Sequence, residues 1–444
     1  MVEEDMGNYF GDGENHRSIG PVAVKFAQWI ATRRDIFPPT LCDKLGVLHD
    51  RGYPHAWTHT DATLTRAFGD YQAKGLQVKE EDVIGCGSAA QVYRGKLTIP
   101  GKTTGEEKTI EKMVAIKVLH PNFRQQVDGD LRLITIIADL LHSLPTDAIR
   151  MLNLPRATDT FGKALCLQAD LTYEANNLNQ FRSNFYHDSQ SKEKNSSIVF
   201  PKPLEGWSNS QVIVEEYVDN AVPISKFLED SSPEGVAIRR QLAGPLLRAF
   251  LKMVFLDNFV HGDLHPGNVL VKTTTKTRET SWFWGSSTSN DEDKETTQHH
   301  SIVFLDAGIS NSLSPNDQQN LKDLFRAVIF NEGEKAGRLM VERAKYERCS
   351  QVPGGVDAFA KGVGDIVSEF HGRRKEGLTL GAVRIGGLLG RVLDLCRVHG
   401  VEIDPAMASV VISTFVLEGL GRSLSPELNL IDFARPFLMG GGTV

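Results

Sequence analysis

The spacing of apolar positions changes character several times along the chain. Between Val22 and Asp50 they fall at helical intervals (Val24, Trp29, Ile30), with a Pro38-Pro39 break and a second helix predicted from about Thr40. From residue 76 to 97 the pattern becomes that of strands. Val83-Ile84 leads into Gly85-Cys86-Gly87-Ser88-Ala89-Ala90, and Gln91 to Leu97 follows, which predicts strand, glycine turn and strand. A polar stretch, 101–112, separates these from a third apolar strand, Met113 to Leu119. Helical periodicity holds from Phe123 to Phe185, with breaks expected at Pro145 and Pro155, and Ser210 to Val218 returns to strand. Helices dominate after Pro233, interrupted by strand-and-loop segments at Phe259 to Val271 and Ile302 to Asp306.

Composition narrows the class. In 444 residues, 41% are hydrophobic and 24% charged, which excludes a disordered, collagen-like or coiled-coil chain and allows a large buried core. The net charge of −7 is concentrated. Residues 1–20 hold five acids against Arg17, and the segment 275–300 holds five acids against three bases, so the remaining body is nearly neutral. That balance argues against nucleic acid as a partner. The five cysteines lie far apart without a CxxC pair, which supports neither a disulfide framework nor a zinc ribbon. The longest uncharged apolar run, Ala406 to Leu417, is too short to span a membrane, and the acidic N-terminus shows no presequence pattern. Residues 273–300 read as a largely disordered surface insertion between two strands that would otherwise be neighbours. Its Trp282-Phe283-Trp284 cluster is unusual for a solvated loop, so a docking element is the second reading beside an inert insertion. His299-His300 alone does not make a metal site.

Chemistry enters with the order of four segments. Gly85, Gly87, Ser88 and Ala89 form a turn whose backbone can approach phosphate oxygens, a weak signal alone. Lys117 ends the apolar strand that follows, within reach of phosphates, while Ala115 leaves room for a nucleotide's base. In His261-Gly262-Asp263-Leu264-His265-Pro266-Gly267-Asn268, a carboxylate and an amide stand five residues apart on a loop closed by a strand. That spacing suits phosphoryl transfer, with Asp263 as base or water-positioner and Asn268 as a metal ligand. Asp306, at the end of Val303-Phe304-Leu305, is the expected second carboxylate for Mg²⁺. Ile213 to Val218 reads as a hinge whose backbone at Glu216 and Val218 meets the base. Glu174 is the candidate ion-pair partner of Lys117, against the blander reading of a solvated helix glutamate.

These motifs resemble the UbiB-type (aarF-domain-containing) atypical kinases of the protein-kinase-like superfamily, over nearly the whole chain from about residue 20. The family's KxGQ signature corresponds to Lys25-Phe26-Ala27-Gln28, and its ExD segment to Gln168-Ala169-Asp170 with Glu174 following. Gln168 replaces the family's acid, so a Lys25 contact there would be a neutral hydrogen bond in place of an ion pair. The resemblance implies an α+β, bilobal kinase-like fold with a small β-rich N-lobe, a larger helical C-lobe and a helical N-terminal extension that covers the active site. The expected boundaries are a disordered acidic leader 1–20, the extension 21–75, the N-lobe with inserted helices and hinge 76–218, and the C-lobe 219–444.

The resemblance also implies ATP and Mg²⁺ as cofactors, ATPase-like activity in mitochondria, and a role in coenzyme Q (ubiquinone) or lipid homeostasis. The partners it implies are a lipid or quinone precursor and a membrane surface. A nucleotide-binding, membrane-associated scaffold with little turnover is the alternative. A conventional protein kinase is disfavoured, because Gly262 stands where such enzymes carry arginine and no APE-like segment follows Asp306-Ala307-Gly308.

Overall fold

Strict alternation in Tyr93 to Leu97 and in Val114 to Val118 sends every second side chain to one face of a sheet, and that face needs a cover. The computed structural model describes residues 25–27, 30, 39–45, 54–100, 109–144, 154–186, 196–262, 264–278, 295–372, 385–403, 405–428 and 430–438. After α1 (Pro39–Leu45), the cover is α2 (Trp57–Phe68), which lays Leu64 and Phe68 over the outer face of the sheet. The strands are β1 (Leu76–Gln77), β2 (Val83–Cys86), β3 (Ala90–Pro100), β4 (Thr109–Leu119), β6 (Pro203–Ser208) and β7 (Val212–Glu216), with a short β5 (Ile198–Val199) outside this sheet. They pair antiparallel in the order β1-β3-β4-β7-β6, with β2 also on β3. Tyr93, Leu97, Val114, Ile116, Val118, Val212 and Val214 form the outer core with α2, whereas Ala90, Leu119 and Ile213 join the main core on the opposite face.

Among the described residues, three helices lie between β4 and β5: α3 (Phe123–His142), α4 (Leu154–Gln168) and α5 (Leu171–Tyr186). Pro155 does not break a helix. It sits in the first turn of α4, where its missing N–H costs nothing. The unforeseen break is at Ala169-Asp170, where the Asp170 carboxylate accepts from the Thr172 N–H at 3.0 Å and caps α5.

The C-terminal part is helical around α7 (Pro233–Phe255), preceded by β8 (Ala221–Pro223) and α6 (Ile224–Glu229) and followed by β9 (Val260–His261), β10 (Val269–Arg278), β11 (Glu295–Phe304) and β12 (Ser310–Asn311). The helices α8 (Pro315–Ile329), α9 (Gly333–Arg343), α10 (Gly355–Gly372), α11 (Ile385–His399), α12 (Pro405–Leu424) and α13 (Leu430–Leu438) complete it. Phe181 and Phe304 pack against the buried ring of His261, and Phe200 and Phe259 pack on those two phenylalanines, which ties α5 to β9 and β11. The fold is thus a β-rich N-terminal lobe on a helical C-terminal lobe. Among the described residues no helix is long and apolar enough to cross a membrane.

Two polar stretches are strand where loop is expected. β4 begins at Thr109, with Thr109 to Lys112 paired to Leu97 to Pro100. The ends of the polar segment 273–300 also form a ladder, from Thr273↔His300 out to Arg278↔Glu295, so β10 and β11 are neighbours as expected but run further than expected, while residues 279–294 lie outside the described residues. Both are hairpin extensions beyond the core. There hydrogen bonding and β-branched threonines hold the ladder, and no buried face imposes an apolar alternation. The Trp282-Phe283-Trp284 cluster lies outside the described residues.

Candidate functional site

Lys117 is carried by β4 on the face turned away from α2, so its ammonium emerges into the cleft between the lobes. Its Nζ donates to Glu174 Oε1 and Oε2 at 2.9 and 2.8 Å, and stands 3.1 Å from Asp306 Oδ1. Glu174 comes from the first turn of α5, the helix that Asp170 caps. The Lys117 side chain is 18% exposed, Glu174 5% and Asp306 42%, so the carboxylate nearest to solvent is that of Asp306. Burial alone would discharge Lys117, but the Asp306 and then the Glu174 carboxylate hold its pKa above the ordinary lysine value. Burial pushes the Glu174 carboxyl up to about 7 against the pull of Lys117. Burial works the same way on Asp306, yet the Lys117 ammonium, with a smaller contribution from Lys25, brings its pKa down to about 2.

The Asp306 backbone is left-handed, φ +52, a conformation that costs free energy in a non-glycine residue and clusters at functional sites. Asn177 on α5 steadies this turn, its Nδ2 donating to the Ala307 carbonyl at 2.7 Å. Gly308 keeps it open: a Cβ there would lie 3.1 Å from Asp306 Oδ1.

The loop that follows β9 is pinned at its first and last residues. His261 is fully buried and its Nε2 donates to the Leu305 carbonyl at 3.0 Å, so this histidine, suggestive of chemistry in the sequence, holds the loop against the strand that carries Asp306. Gly262 donates to the Ile309 carbonyl at 2.9 Å, and a Cβ on it would come within 2.6 Å of Asn311 Nδ2 and Ile309 Cγ2. The Asn268 N–H donates to the His265 carbonyl at 2.9 Å, and the Leu305 N–H to the Asn268 carbonyl at 2.9 Å, which sets Asn268 beside the strand end that leads to Asp306. Asp263 lies outside the described residues, as does Gln28.

In the glycine turn between β2 and β3, the Gly87 N–H closes onto the Ala90 carbonyl at 2.9 Å, and Ser88 is buried. A Cβ at Gly85 would meet nothing within 4 Å, so steric need does not explain that glycine. At the hinge, the Glu216 N–H donates to the Lys202 carbonyl and the Tyr217 N–H to the Met113 carbonyl, while the Glu216 side chain turns to Lys112 at 3.3 Å, away from the cleft. Val218 is the first hinge residue whose backbone makes no hydrogen bond among the described residues. Ala115 lies across from Glu215 on β7.

Lys117, Glu174 and Asp306 are therefore brought together. Lys25 reaches the same field, and Gln168 ends α4 with a buried Oε1 that has no hydrogen-bond partner among the described residues. Two features escape the sequence. Burial first, and the Glu174 carboxylate next, push the Glu215 carboxyl up to about 8 beside Lys117 and Asp306. His55 and His120 join α2's N-terminal approach to the glycine turn, with 2.7 Å between their Nδ1 atoms. The first leaves only an acid at the end of an apolar strand, whose facing is given by its pairing with Ala115 and not by local pattern; the second pairs positions too distant for any local pattern.

The chain matches the ABC1 atypical kinase-like domain over residues 47–340 and the UbiB helical domain over residues 372–429. It is 33% identical to a mitochondrial ABC1 family protein of Schizosaccharomyces pombe, over 94% of this chain and 63% of that one. It is also 33% identical to a mitochondrial ABC1 family protein of Saccharomyces cerevisiae, over 94% and 66%. The chain thus spans about two thirds of the length of these relatives. A probable protein kinase UbiB of Pasteurella multocida is 26% identical over 95% of this chain and 72% of its own. Among solved structures, Rv3197 of Mycobacterium tuberculosis, in complex with erythromycin, shares the fold with a TM-score of 0.55 at 15% identity, covering 100% of this chain and 98% of that one.

Proposed function

From the premise that the chain belongs to the ABC1/UbiB atypical kinase-like family, we propose that it is a Mg-ATP-dependent phosphoryl-transfer enzyme, an atypical kinase or ATPase. The observation that carries this reading is the Lys117 ammonium held by Glu174 at 2.8 Å and Asp306 at 3.1 Å in the cleft. A lysine kept cationic and only partly buried is suited to phosphate oxygens, and Glu174 orients it.

Asp306 stays ionised far below neutral pH and is the most exposed of the three, and Asn268, whose backbone is bonded to Leu305 just before Asp306, carries an amide oxygen, so the two side chains are hard oxygen donors of the kind that suits Mg²⁺. Mg²⁺ held by Asp306 and Asn268 would neutralise phosphate charge. Lys117 binds and orients the phosphates, Val218 offers backbone groups to the base, and Asp263 takes the proton of, or positions, the attacking hydroxyl or water. The turn at Gly85 and Gly87, with Ser88 and Ala89, closes over the phosphates.

Two relatives named mitochondrial and others named UbiB support a mitochondrial setting and a role in coenzyme Q or lipid homeostasis, with a quinone precursor or membrane lipid as effector or acceptor. The test is ATP hydrolysis by wild type and Asp306→Asn, with and without cardiolipin-containing liposomes and quinone-precursor mimics. The expected result is hydrolysis that falls at least 100-fold in the variant, a loss typical of removing one charge-stabilising group. An Asp306→Asn protein with full hydrolysis overturns the reading. ATP binding without turnover under every condition would favour the scaffold instead.

A further inference from the structure

Glu215 is an acid where the strand pattern calls for an apolar residue. On β7 its neighbours Ile213 and Val214 are fully buried, and the β4–β7 register sets Glu215 opposite Ala115 and Ile213 opposite Lys117. Residues directly opposite share a face, so Glu215, Ala115 and Lys117 all face the cleft. Val214 and Val212 point to the outer core, and Glu216 goes with them to meet Lys112. The charges that act on Glu215 are Glu174, Lys117 and Asp306. Lys117 is already paired with the other two carboxylates, and among the described residues Glu215 makes no hydrogen bond or ion pair. A half-buried carboxyl with no partner, set beside two like charges, is a standing cost to the fold, and such groups are found where a ligand satisfies them.

Its place says which part of a ligand. With phosphates at Lys117, a base resting on Ala115 lies one strand repeat nearer the hinge, roughly 7 Å away, and Glu215 is directly across from it at about 5 Å between Cβ atoms. An ionised carboxylate only accepts, and an N–H donor in front of Glu215 favours that form, so the position takes an amine and disfavours a carbonyl at the same spot. We infer that Glu215 is a specificity-determining residue for the nucleobase, accepting a hydrogen bond from an exocyclic amine and so selecting an adenine-type base over a hypoxanthine-type one. This rests on the cleft being a nucleotide site.

Equilibrium binding of Mg-ATP and Mg-ITP to the full chain tests it, because the two nucleotides differ at that amine. Wild type is expected to prefer ATP. Glu215→Gln, whose amide both accepts and donates, should lower the ATP-to-ITP affinity ratio about tenfold with ATP affinity nearly kept, the size of one hydrogen bond to a charged group. Glu215→Leu should lose the preference as well and melt at a higher temperature than wild type, since it removes an uncompensated acid. A structural role would give the opposite pairing, a lower melting temperature and an unchanged ratio. An unchanged ratio in both variants overturns the inference while the nucleotide site stands. If wild type binds neither nucleotide, the site itself and the inference fall together.

Discussion

The Nε2 atom of His120 lies 2.8 Å from the carbonyl oxygen of Gly87, so one histidine at the end of β4 holds the glycine turn from behind. A carbonyl only accepts, which makes Nε2 the donor and leaves Nδ1 of the neutral ring as an acceptor. His55 Nδ1 must then donate to it across 2.7 Å, and His55 Nε2 accepts from the Thr60 hydroxyl at 2.8 Å. Thr60 is in turn 2.8 Å from the Tyr93 hydroxyl, Tyr93 accepts from Gln91 Nε2 at 2.8 Å, and Gln91 Oε1 accepts from the His55 N–H at 2.9 Å. The ring of bonds closes, so every tautomer in it is determined.

His120→Ala removes the brace on Gly87. One hydrogen bond is worth about 1 kcal/mol, so the KM for nucleotide is expected to rise roughly fivefold to tenfold while kcat changes less than twofold. Steady-state ATP hydrolysis separates the two parameters, and an unchanged KM would show that the turn holds its shape unaided.

The same network predicts a pH effect. Burial, helped by the charges of His120 and His59, lowers the His55 pKa from 6.5 to about 4. In the unfolded chain the ring takes a proton near 6.5, so this contribution to stability is complete above that pH and is lost as pH falls toward 4. Glu174 and Glu215, raised to about 7 and about 8, act in the opposite sense, so the wild-type curve alone mixes the two. The melting-temperature advantage of wild type over His55→Gln should therefore shrink between pH 6.5 and 4. A constant difference would contradict a neutral His55.

Lys117→Met leaves the Glu174 carboxyl, 5% exposed, without its cation. Removing one member of such a pair costs about 3 kcal/mol, less where the remaining acid can take a proton. Since the Glu174 carboxyl is already pushed up to about 7, the loss of melting temperature should be smaller at pH 6 than at pH 8. Nucleotide binding should be weakened more than tenfold at either pH.

Two glycines should answer differently to alanine. Gly262→Ala drives a Cβ to 2.6 Å from Asn311 Nδ2 and Ile309 Cγ2 and is expected to cost about 1–3 kcal/mol, with hydrolysis falling as the loop shifts. Gly85→Ala meets nothing within 4 Å and should leave stability within about 0.5 kcal/mol of wild type. Thermal melts of both variants check the contrast.

The β10–β11 ladder is in register to its last pair, Arg278↔Glu295. Replacing residues 279–294 with Asn-Gly, the preferred two-residue hairpin connection, should therefore keep the fold and the hydrolysis rate, with a melting temperature within about 3 °C. Loss of hydrolysis with the fold intact would give the excised residues a role in function.

Much of the candidate site is legible in the sequence because the phosphoryl transfer proposed for it asks for those residue types in that order. Lys117 and Glu174 meet although 57 positions separate them, and Asp306 arrives on its strand end as expected. What escapes is what local pattern does not encode. Glu215 is hidden because an acid in a hinge strand looks like its neighbour Glu216, and only the register with Ala115 shows that the two face opposite ways. His261 reads as chemistry, yet its burial against Phe181 and its bond to Leu305 make it a fastening. In the fold, Pro155 misleads because the same residue ends one helix and begins another with equal ease. β6 is missed because Pro203 and Gly206 interrupt its alternation, and its pairing with β7 shifts register between Pro203 and Ser208.

The packing of α2 fixes where this protein can be cut. Leu64 and Phe68 supply the layer that closes the outer face of the sheet, and Thr60 on the same helix belongs to the bond ring behind the glycine turn. A chain begun at Leu76, the first strand, would present Ile116, Val118, Val212 and Val214 to water as one continuous sheet face. It would be expected to aggregate, not to yield an open and more active enzyme. An autonomous N-terminal lobe has to include the helix that precedes its first strand, and any truncation meant to uncover the cleft must stop before Trp57.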